Sequence, residues 1–228
     1  PFSGGWNQAK AGVYTLIREC GYHPDPLTLW DMTDAGLRDR KALVLAGTTS
    51  MAPEIIGAVR RYVENGGTLV AFYNSIGRGF PGCNSYDYAG PVLESAKAVS
   101  FRPGAEHLGD VLGILDAGQP GNAGQIRLSG HEIDLTAIND LITQGKWLAT
   151  PIWATGVQPV PGAEVLATFA DGSPAAYRRA HGEGQVYVFA YDLPAIANNL
   201  TIPALYKPWD DLMESRGCRK VLDTGDYF

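Results

Sequence analysis

Two continuous apolar runs enclose an amphipathic helix between residues 41 and 74, and this unit constrains the fold more than any other part of the chain. The first run, KALVLAG, covers residues 41–47, and the second, GTLVAFYN, covers residues 67–74. Strands that read as unbroken apolar runs are buried on both faces, as in parallel sheets. The segment between them opens with Pro53 and closes on a Gly-Gly pair, which suits the two ends of a helix. This order predicts a right-handed βαβ crossover in a doubly wound sheet.

A further helix is predicted over residues 6–21, where apolar side chains recur at helical spacing and Gly21 provides a stop. A fold of this kind normally begins with a strand, and no strand precedes this helix. We therefore expect that an N-terminal strand was removed from the chain. The first residue, Pro1, is not Met, which favours a processed or excised chain.

The last third of the domain has the clearest β pattern. Three apolar runs between residues 163 and 193 are separated by Asp171-Gly172 and by Gly182-Glu183-Gly184. Both separators are strong turn signals, so three antiparallel strands are predicted.

The remaining segments are assigned from periodicity and from Gly and Pro content. A short helix is predicted near residues 90–97, and a longer one over residues 105–115. Residues 116–125, DAGQPGNAGQ, are predicted as a flexible connector. Two helices are predicted after the β region, at 194–200 and 208–217. We expect one α/β domain over residues 1–200, with 201–228 as a C-terminal tail or a lead-in to a further domain.

Composition excludes several classes of function. A net charge of −6 argues against a nucleic-acid partner and against a polybasic membrane-binding patch. No apolar stretch reaches the roughly 18 residues that a membrane helix needs. The three cysteines form no CxxC pair, so neither a zinc ribbon nor a thioredoxin-like site is expected. The low lysine content, six against twelve arginines, favours an exported protein.

The sequence of residues 41–78, KALVLAGTTSMAPEIIGAVRRYVENGGTLVAFYNSIGR, resembles the central βαβ unit of the class I glutamine amidotransferase-like fold. The resemblance is closest to the trimerisation domain of glycoside hydrolase family 42 β-galactosidases. Residues 165–193, VLATFADGSPAAYRRAHGEGQVYVFAYDL, resemble the closing hairpins of the same domain. The resemblance implies an α/β, flavodoxin-like three-layer sandwich with a mostly parallel central sheet and late antiparallel hairpins. It also implies a partner, either the protein's own catalytic domain or further copies in a homo-oligomer.

Catalytic amidotransferases of this fold carry a cysteine in the turn after the second strand, with a histidine near the C-terminus as its partner. Thiolate chemistry needs both groups. Here residues 72–78 read FYNSIGR and residues 190–193 read AYDL, so neither group is present at its position. Cys83 lies beyond the turn in a Gly/Pro-rich loop. The amidotransferase activity is therefore predicted to be absent, and the chain is more readily interpreted as a non-enzyme.

Six polar residues are expected at or just beyond the carboxyl ends of strands, the edge where open α/β sheets bind ligands. They are the candidate pocket: Asp31, Thr48, Asn74, Ser75, Arg78 and Asp192. Ser75 is a candidate serine nucleophile, but residues 73–77 do not match the Gly-x-Ser-x-Gly pattern, which favours an ordinary turn residue.

Other candidate sites are weaker. His107 and His131 lie beside carboxylates, but neighbours on a helix or strand diverge, so no metal is expected. Paired carboxylates for glycoside hydrolysis, such as Asp210-Asp211, Asp31 with Asp34, or Glu132 with Asp134, are not singled out by spacing. In the family 42 enzymes the catalytic carboxylates lie on a separate barrel domain, which is absent here. Trp147 and Trp153 are candidates for an exposed aromatic pair, and no cofactor is expected.

Three hypotheses for function follow. The first is a non-catalytic amidotransferase-like domain of a larger carbohydrate-active protein, serving in domain packing or self-association. The second is a module that binds a sugar or small molecule at the strand edge. The third is a hydrolase with an unrecognised site at the same edge, where Asn74, Ser75, Arg78 and Asp192 would converge.

Overall fold

The computed structural model describes residues 4–28, 30–45, 51–72, 108–122, 124–128, 131–136, 140, 144, 153–199 and 203–221. The helices are α1 (Gly4–Glu19), α2 (Asp34–Leu37), α3 (Pro53–Glu64), α4 (Gly109–Leu112), α5 (Leu193–Asn199) and α6 (Pro203–Ser215). The strands are β1 (Leu43–Leu45), β2 (Thr68–Phe72), β3 (Ile114–Asn122), β4 (Gln125–Leu128), β5 (His131–Asp134), β6 (Trp153–Pro159), β7 (Glu164–Phe169), β8 (Pro174–His181) and β9 (Gly184–Phe189). None of the helices in these ranges is long and apolar enough to cross a membrane.

A seven-stranded sheet in the order β1-β2-β9-β8-β7-β4-β5 organises the fold, and β3 and β6 form a separate two-stranded sheet. The pairs β1–β2 and β2–β9 are parallel, whereas the other four pairs of the large sheet are antiparallel. The sheet is therefore mixed, and the expectation of a mostly parallel sheet does not hold for these strands. For three of these pairs, β4–β5, β7–β8 and β8–β9, the physical reason is connection length, because a connection of a few residues can join only antiparallel neighbours.

The predicted strand–helix–strand unit is confirmed. Strand β1 pairs in parallel with β2, with α3 between them in sequence. Side chains alternate between the two faces of β2: Val70 and Phe72 join a core with α1, α5 and α6, whereas Leu69 and Ala71 join a second core with α3 and α4. The parallel strands are thus covered by helices on both faces, as their continuous apolar sequences predict.

The predicted C-terminal hairpins are also confirmed, since β7–β8 and β8–β9 pair antiparallel. Gly172 has a φ of 84° in the first turn, a conformation that favours glycine. In the second turn the backbone N–H of Glu183 donates to the Glu64 carbonyl oxygen at 2.9 Å, at the end of α3. A Cβ on Gly184 would overlap the carbonyl oxygens of Val63 and Gly67. This hairpin therefore docks against the α3–β2 junction and needs a glycine there.

Helix α1 ends as its sequence predicts. Gly21 has a φ of 83°, its N–H donates to the Arg18 carbonyl, and the Tyr22 N–H donates to the Ile17 carbonyl. This pair of hydrogen bonds is a Schellman motif, which satisfies carbonyls that the helix end leaves open. A Cβ on Gly12 would overlap the backbone of Pro194, so α1 and α5 approach each other closely at that glycine.

Two predictions between the central unit and the hairpins are wrong. In the described part of the helix predicted over 105–115, only α4 is helical, because Gly113 adopts a left-handed conformation and Ile114 already begins β3. The predicted connector over 116–125 is largely β3 and the start of β4. Irregular pairing near Pro120 lets a Gly/Pro-rich segment join a strand pair. The short helix predicted near 90–97 lies outside the described residues.

Helix α6, in the segment predicted as a tail, packs on the domain. Trp209 is fully buried, with its ring centroid 5.7 Å from that of Phe72. Tyr206, Leu212 and Met213 belong to the same core. The tail also contacts the segment that follows α1, because Tyr22 donates a hydrogen bond of 2.8 Å to a carboxylate oxygen of Asp210.

The close approach at Gly184 predicts a large effect of one added methyl group. Gly184→Ala should lower the free energy of unfolding by roughly 1–3 kcal/mol, because backbone carbonyls cannot move aside as a flexible side chain can. Gly57→Ala is the matched control within α3, where the new Cβ would meet only the Arg61 side chain, at 3.2 Å. This control should raise stability by about 0.5–1 kcal/mol, as in other helix interiors. Urea unfolding measures both, and equal effects of the two substitutions would contradict the docking of the hairpin.

The buried indole of α6 predicts that the tail helix is part of the folded unit. Trp209→Ala should cost roughly 3–5 kcal/mol of unfolding free energy, because it leaves a large cavity beside Phe72. Trp209→Phe should cost less, since most of the ring contact is kept. Lys207→Ala, on the exposed side of the same helix, should change stability by about 0.5 kcal/mol or less. A Trp209→Ala variant as stable as Lys207→Ala in chemical unfolding would contradict this packing.

Candidate functional site

The described structure contains two of the six candidate pocket residues, Asp31 and Asp192. The other four, Thr48, Asn74, Ser75 and Arg78, lie outside the described residues, as do His107, Trp147 and the turn that would carry an amidotransferase nucleophile. The described part of the site therefore consists of the carboxyl ends of β2 and β9 and the residues that follow β9.

Strands β2 and β9 end together at the expected ligand-binding edge. They are parallel neighbours, and Phe72 is paired in register with Phe189, the last residue of β9. The two rings pack with centroids 5.4 Å apart, and the ring of Tyr191 meets Phe189 edge-on at 6.1 Å. With Trp209 against Phe72, aromatic side chains fill the described part of this edge on the α1 side of the sheet.

Of the two described candidates, Asp192 is held at this edge with its carboxyl group buried. It follows β9 and forms the N-cap of α5: its Oδ1 accepts a hydrogen bond from the Ala195 N–H at 3.1 Å, and its carbonyl accepts one from Ile196. Aspartate is a favoured N-cap because its side chain satisfies an N–H that the helix leaves open. This contact gives Asp192 a structural role whether or not it also meets a ligand.

The environment of Asp192 changes its acidity. Burial raises the pKa of its carboxyl group to about 6, against the smaller opposite effect of the Ala195 N–H. A carboxyl group of this kind exchanges a proton near neutral pH, which is a property of many functional sites and of some structural ones. Chemically, Asp192 is suited to hold or release one proton, or to bind a hydroxyl group.

Asp31 is placed differently from the strand-end position that the sequence predicts. No strand is described between residues 22 and 28, and Asp31 is exposed in a turn, where a carboxylate oxygen accepts hydrogen bonds from the backbone N–H and hydroxyl of Thr28. These bonds lower the pKa of the Asp31 carboxyl group. The adjoining Met32 packs on the α3 side of the sheet, whereas Tyr191 and Leu193, which flank Asp192, belong to the core on the α1 side.

The other sequence candidates have structural roles where they are described. Asp210 accepts a hydrogen bond from Lys220 at 2.8 Å, and Asp211 pairs with Lys207 at 2.9 Å. His131 opens β5, and its side chain lies outside the described residues. Within the described ranges, no three His, Cys, Asp or Glu residues are grouped so that they could hold a metal ion.

Sequence reasoning missed the aromatic side chain from the tail, Trp209. The signal that finds it is helical spacing, because Tyr206, Trp209 and Met213 recur at three- and four-residue intervals along α6 and are all buried. Trp153, which the sequence suggests as a candidate for an exposed aromatic pair, opens β6, and its side chain lies outside the described residues.

Known structures share this fold at low sequence identity. Gan42B, a GH42 β-galactosidase from G. stearothermophilus, matches with a TM-score of 0.64 and 18% identity, over 97% of this chain and 27% of its own. The β-galactosidase from Bacillus circulans sp. alkalophilus matches with a TM-score of 0.61 and 19% identity, over 99% of this chain and 29% of its own. The cytoplasmic protein STM1381 from Salmonella typhimurium LT2 matches with a TM-score of 0.58 and 16% identity, over 90% of this chain and 86% of its own.

No protein-family model matches the sequence, and no curated protein matches it. At identities of 16–19% the structural matches show a shared fold. The chain spans little more than a quarter of the length of the two β-galactosidases.

The buried carboxyl group of Asp192 predicts a specific pH dependence of stability. Its pKa rises from about 3.9 in the unfolded chain to about 6 in the folded protein. The folded state therefore binds the proton more tightly, and stability falls as pH rises from about 4 to 6. Asp192→Asn keeps an oxygen for the Ala195 N–H but cannot ionise. Between pH 4 and pH 6 the unfolding free energy of this variant should therefore fall by about 3 kcal/mol less than that of the wild type, which is the equivalent of two pKa units.

Urea unfolding of both proteins between pH 4 and pH 7 tests this prediction. Asp192→Ala serves as the control, because it removes the cap as well as the charge and should cost about 1 kcal/mol more than Asp192→Asn at every pH. Parallel stability curves for the wild type and Asp192→Asn would contradict a buried carboxyl group with a raised pKa.

Proposed function

We propose that this chain is a non-catalytic, amidotransferase-like domain of a larger carbohydrate-active protein, and that it acts by packing against a catalytic domain or by self-association. The observation that carries the proposal is the extent of the structural match. Nearly the entire chain, 97%, corresponds to only 27% of a GH42 β-galactosidase chain. A fold that occupies one part of a longer enzyme is well suited to an accessory role, although fold alone does not specify function.

The sequence at the amidotransferase positions supports the absence of catalysis. Residues 72–78 contain no cysteine, and residues 190–193 contain no histidine. Where the edge of the sheet is described, Phe72, Phe189 and Trp209 pack against one another. Aromatic packing of this kind favours a structural use of that edge, because it occupies space where a ligand would otherwise bind.

Self-association is the more specific form of the proposal, since the sequence resembles the trimerisation domain of the family 42 enzymes. An exposed side chain gives it a point of contact: Trp30 is 90% exposed. Tryptophan is enriched among the residues that contribute most to protein interfaces, and an isolated one on a turn is a candidate anchor. The turn itself is braced by the hydrogen bonds between Asp31 and Thr28.

A second candidate function is a module that binds a sugar or small molecule at the strand edge. The observation that favours it is Asp192, whose buried carboxyl group lies at the end of β9. This function predicts thermal stabilisation of the chain by its ligand and loss of that stabilisation in Asp192→Asn. Stabilisation by monosaccharides or disaccharides that depends on Asp192 would favour this module over the packing domain.

Light scattering tests self-association directly. At micromolar concentrations the wild-type chain should have a mass near three times its own 24.4 kDa. Trp30→Glu should shift the mass towards that of a single chain, because a charge cannot be buried unpaired in an interface. Val221→Glu, at another exposed apolar residue, is the matched control and should leave the mass unchanged.

Two outcomes would overturn parts of this proposal. A single-chain mass for the wild type at all accessible concentrations would reject self-association and leave packing against a catalytic domain. Turnover of a nitrophenyl glycoside or an amide by the purified chain, abolished by Ser75→Ala without a fall in melting temperature, would reject the non-catalytic assignment and favour the hydrolase.

A further inference from the structure

A cleft of about 550 Å³ lies at the end of the sheet opposite the candidate pocket. It is formed where the chain enters β1 and β2, so it faces the amino ends of these parallel strands. The ends of α2, α3 and α6 complete its walls. Its charged lining residues are Asp34, Arg38, Arg40, Lys41, Arg61 and Arg216.

The charge of this cleft is opposite to that of the chain. Five of the lining residues are cationic and one is acidic, whereas the protein as a whole carries a net charge of −6. Two cations are neutralised locally: Arg61 pairs with Asp34 at 3.0 Å, and Arg40 pairs with Asp25. No carboxylate in the described part of the chain forms an ion pair with the other three, Arg38, Lys41 and Arg216.

Helix ends account for only part of this positive charge. The carboxyl ends of α3 and α6 face the cleft, and each helix end is equivalent to about half a negative charge. Arginines are commonly placed there for that reason. The two helix ends together offset about one of the three positive charges on Arg38, Lys41 and Arg216. An excess of about two positive charges remains. The last carbonyls of α3 are also satisfied, since Asn65, Gly66 and Gly67 donate to them.

We propose that this cleft binds a phosphate or sulfate group. The two negative charges of a phosphate dianion match the excess positive charge of the cleft. Its oxygens can accept hydrogen bonds from the guanidinium groups of Arg38 and Arg216 and from the ammonium group of Lys41. A carboxylate would neutralise only one charge. The volume is within the range of small-molecule sites, about 300–1,000 Å³, so the group can be free or attached to a small molecule such as a sugar.

Isothermal titration calorimetry of the full chain with inorganic phosphate, at low ionic strength, tests the proposal. Saturable binding is expected for the wild type. The double variant Arg38→Gln/Lys41→Gln should weaken it about tenfold to a hundredfold, because two charge-assisted contacts are lost. Arg216→Gln should weaken it independently. These residues are at the surface, so melting temperatures without phosphate should match the wild type.

A charge-matched control separates a site from general attraction. Arg18→Gln/Lys207→Gln removes the same charge from residues outside the cleft and should bind phosphate as the wild type does. Equal weakening in the control, or the same heat signal from chloride at equal ionic strength, would overturn the proposal. The absence of saturable binding by both phosphate and sulfate would also overturn it.

Further titrations distinguish the source of the group. Tighter binding of glucose 6-phosphate than of inorganic phosphate, with no binding of glucose, would support a ligand that carries its phosphate on a sugar. Equal affinities would support recognition of the free anion. Binding of glucose as tight as that of glucose 6-phosphate would show that the charge is not recognised and would overturn the proposal.

Discussion

The parallel pairing of β2 with β9 holds the rest of this structure in place. All five residues of β2 are buried, and β9 is buried at five of its six positions, so the two strands have no solvent-facing side. Their alternating side chains supply both cores, one under α1, α5 and α6 and the other under α3 and α4. A shift of one residue in the register would exchange these two sets of side chains, which makes the pairing highly specific. The hairpin before β9 reinforces it, because the Gln185 N–H donates to the Gly67 carbonyl at 3.1 Å.

Local signals allowed much of this fold to be predicted from sequence. Unbroken apolar runs identified β1, β2 and β9, and glycines at Gly21, Gly172 and Gly182 marked turns that the structure confirms with positive φ values. Each of these signals depends on residues adjacent in the chain. The pairing of strands distant in sequence is not encoded in that way, so the mixed sheet was not predicted. The prediction for β3 was wrong for a related reason. The Gly and Pro residues of this segment favour a loop locally, and pairing with β6 makes it a strand.

At the candidate site, too, local sequence signals were informative, whereas contacts between segments distant in sequence could not be predicted. The rule that ligands bind at the carboxyl edge of parallel strands selected Asp192, which follows β9, as a pocket candidate, but the rule could not show that its carboxyl group caps α5. Nor could it show that Trp209, from a segment assigned to the tail, would pack against Phe72. The basic cleft was missed because its cations come from separate segments, and the run Arg38-Asp39-Arg40-Lys41 looks like an ordinary solvated turn.

The two ends of the parallel strands therefore differ in chemistry. At the carboxyl end, aromatic side chains pack on the α1 side of the sheet, and the carboxyl group of Asp192, which follows β9, is buried and has a raised pKa. At the amino end, unpaired cations surround an open cleft. Apolar packing tolerates salt, whereas exposed charges are screened over roughly a Debye length, about 8 Å at physiological ionic strength. The proposed self-association through the exposed Trp30 would therefore be less sensitive to salt than the proposed binding of an anion in the cleft. Trp30 is not among the residues that line the cleft, so the proposed self-association and the proposed binding of an oxyanion rest on different residues.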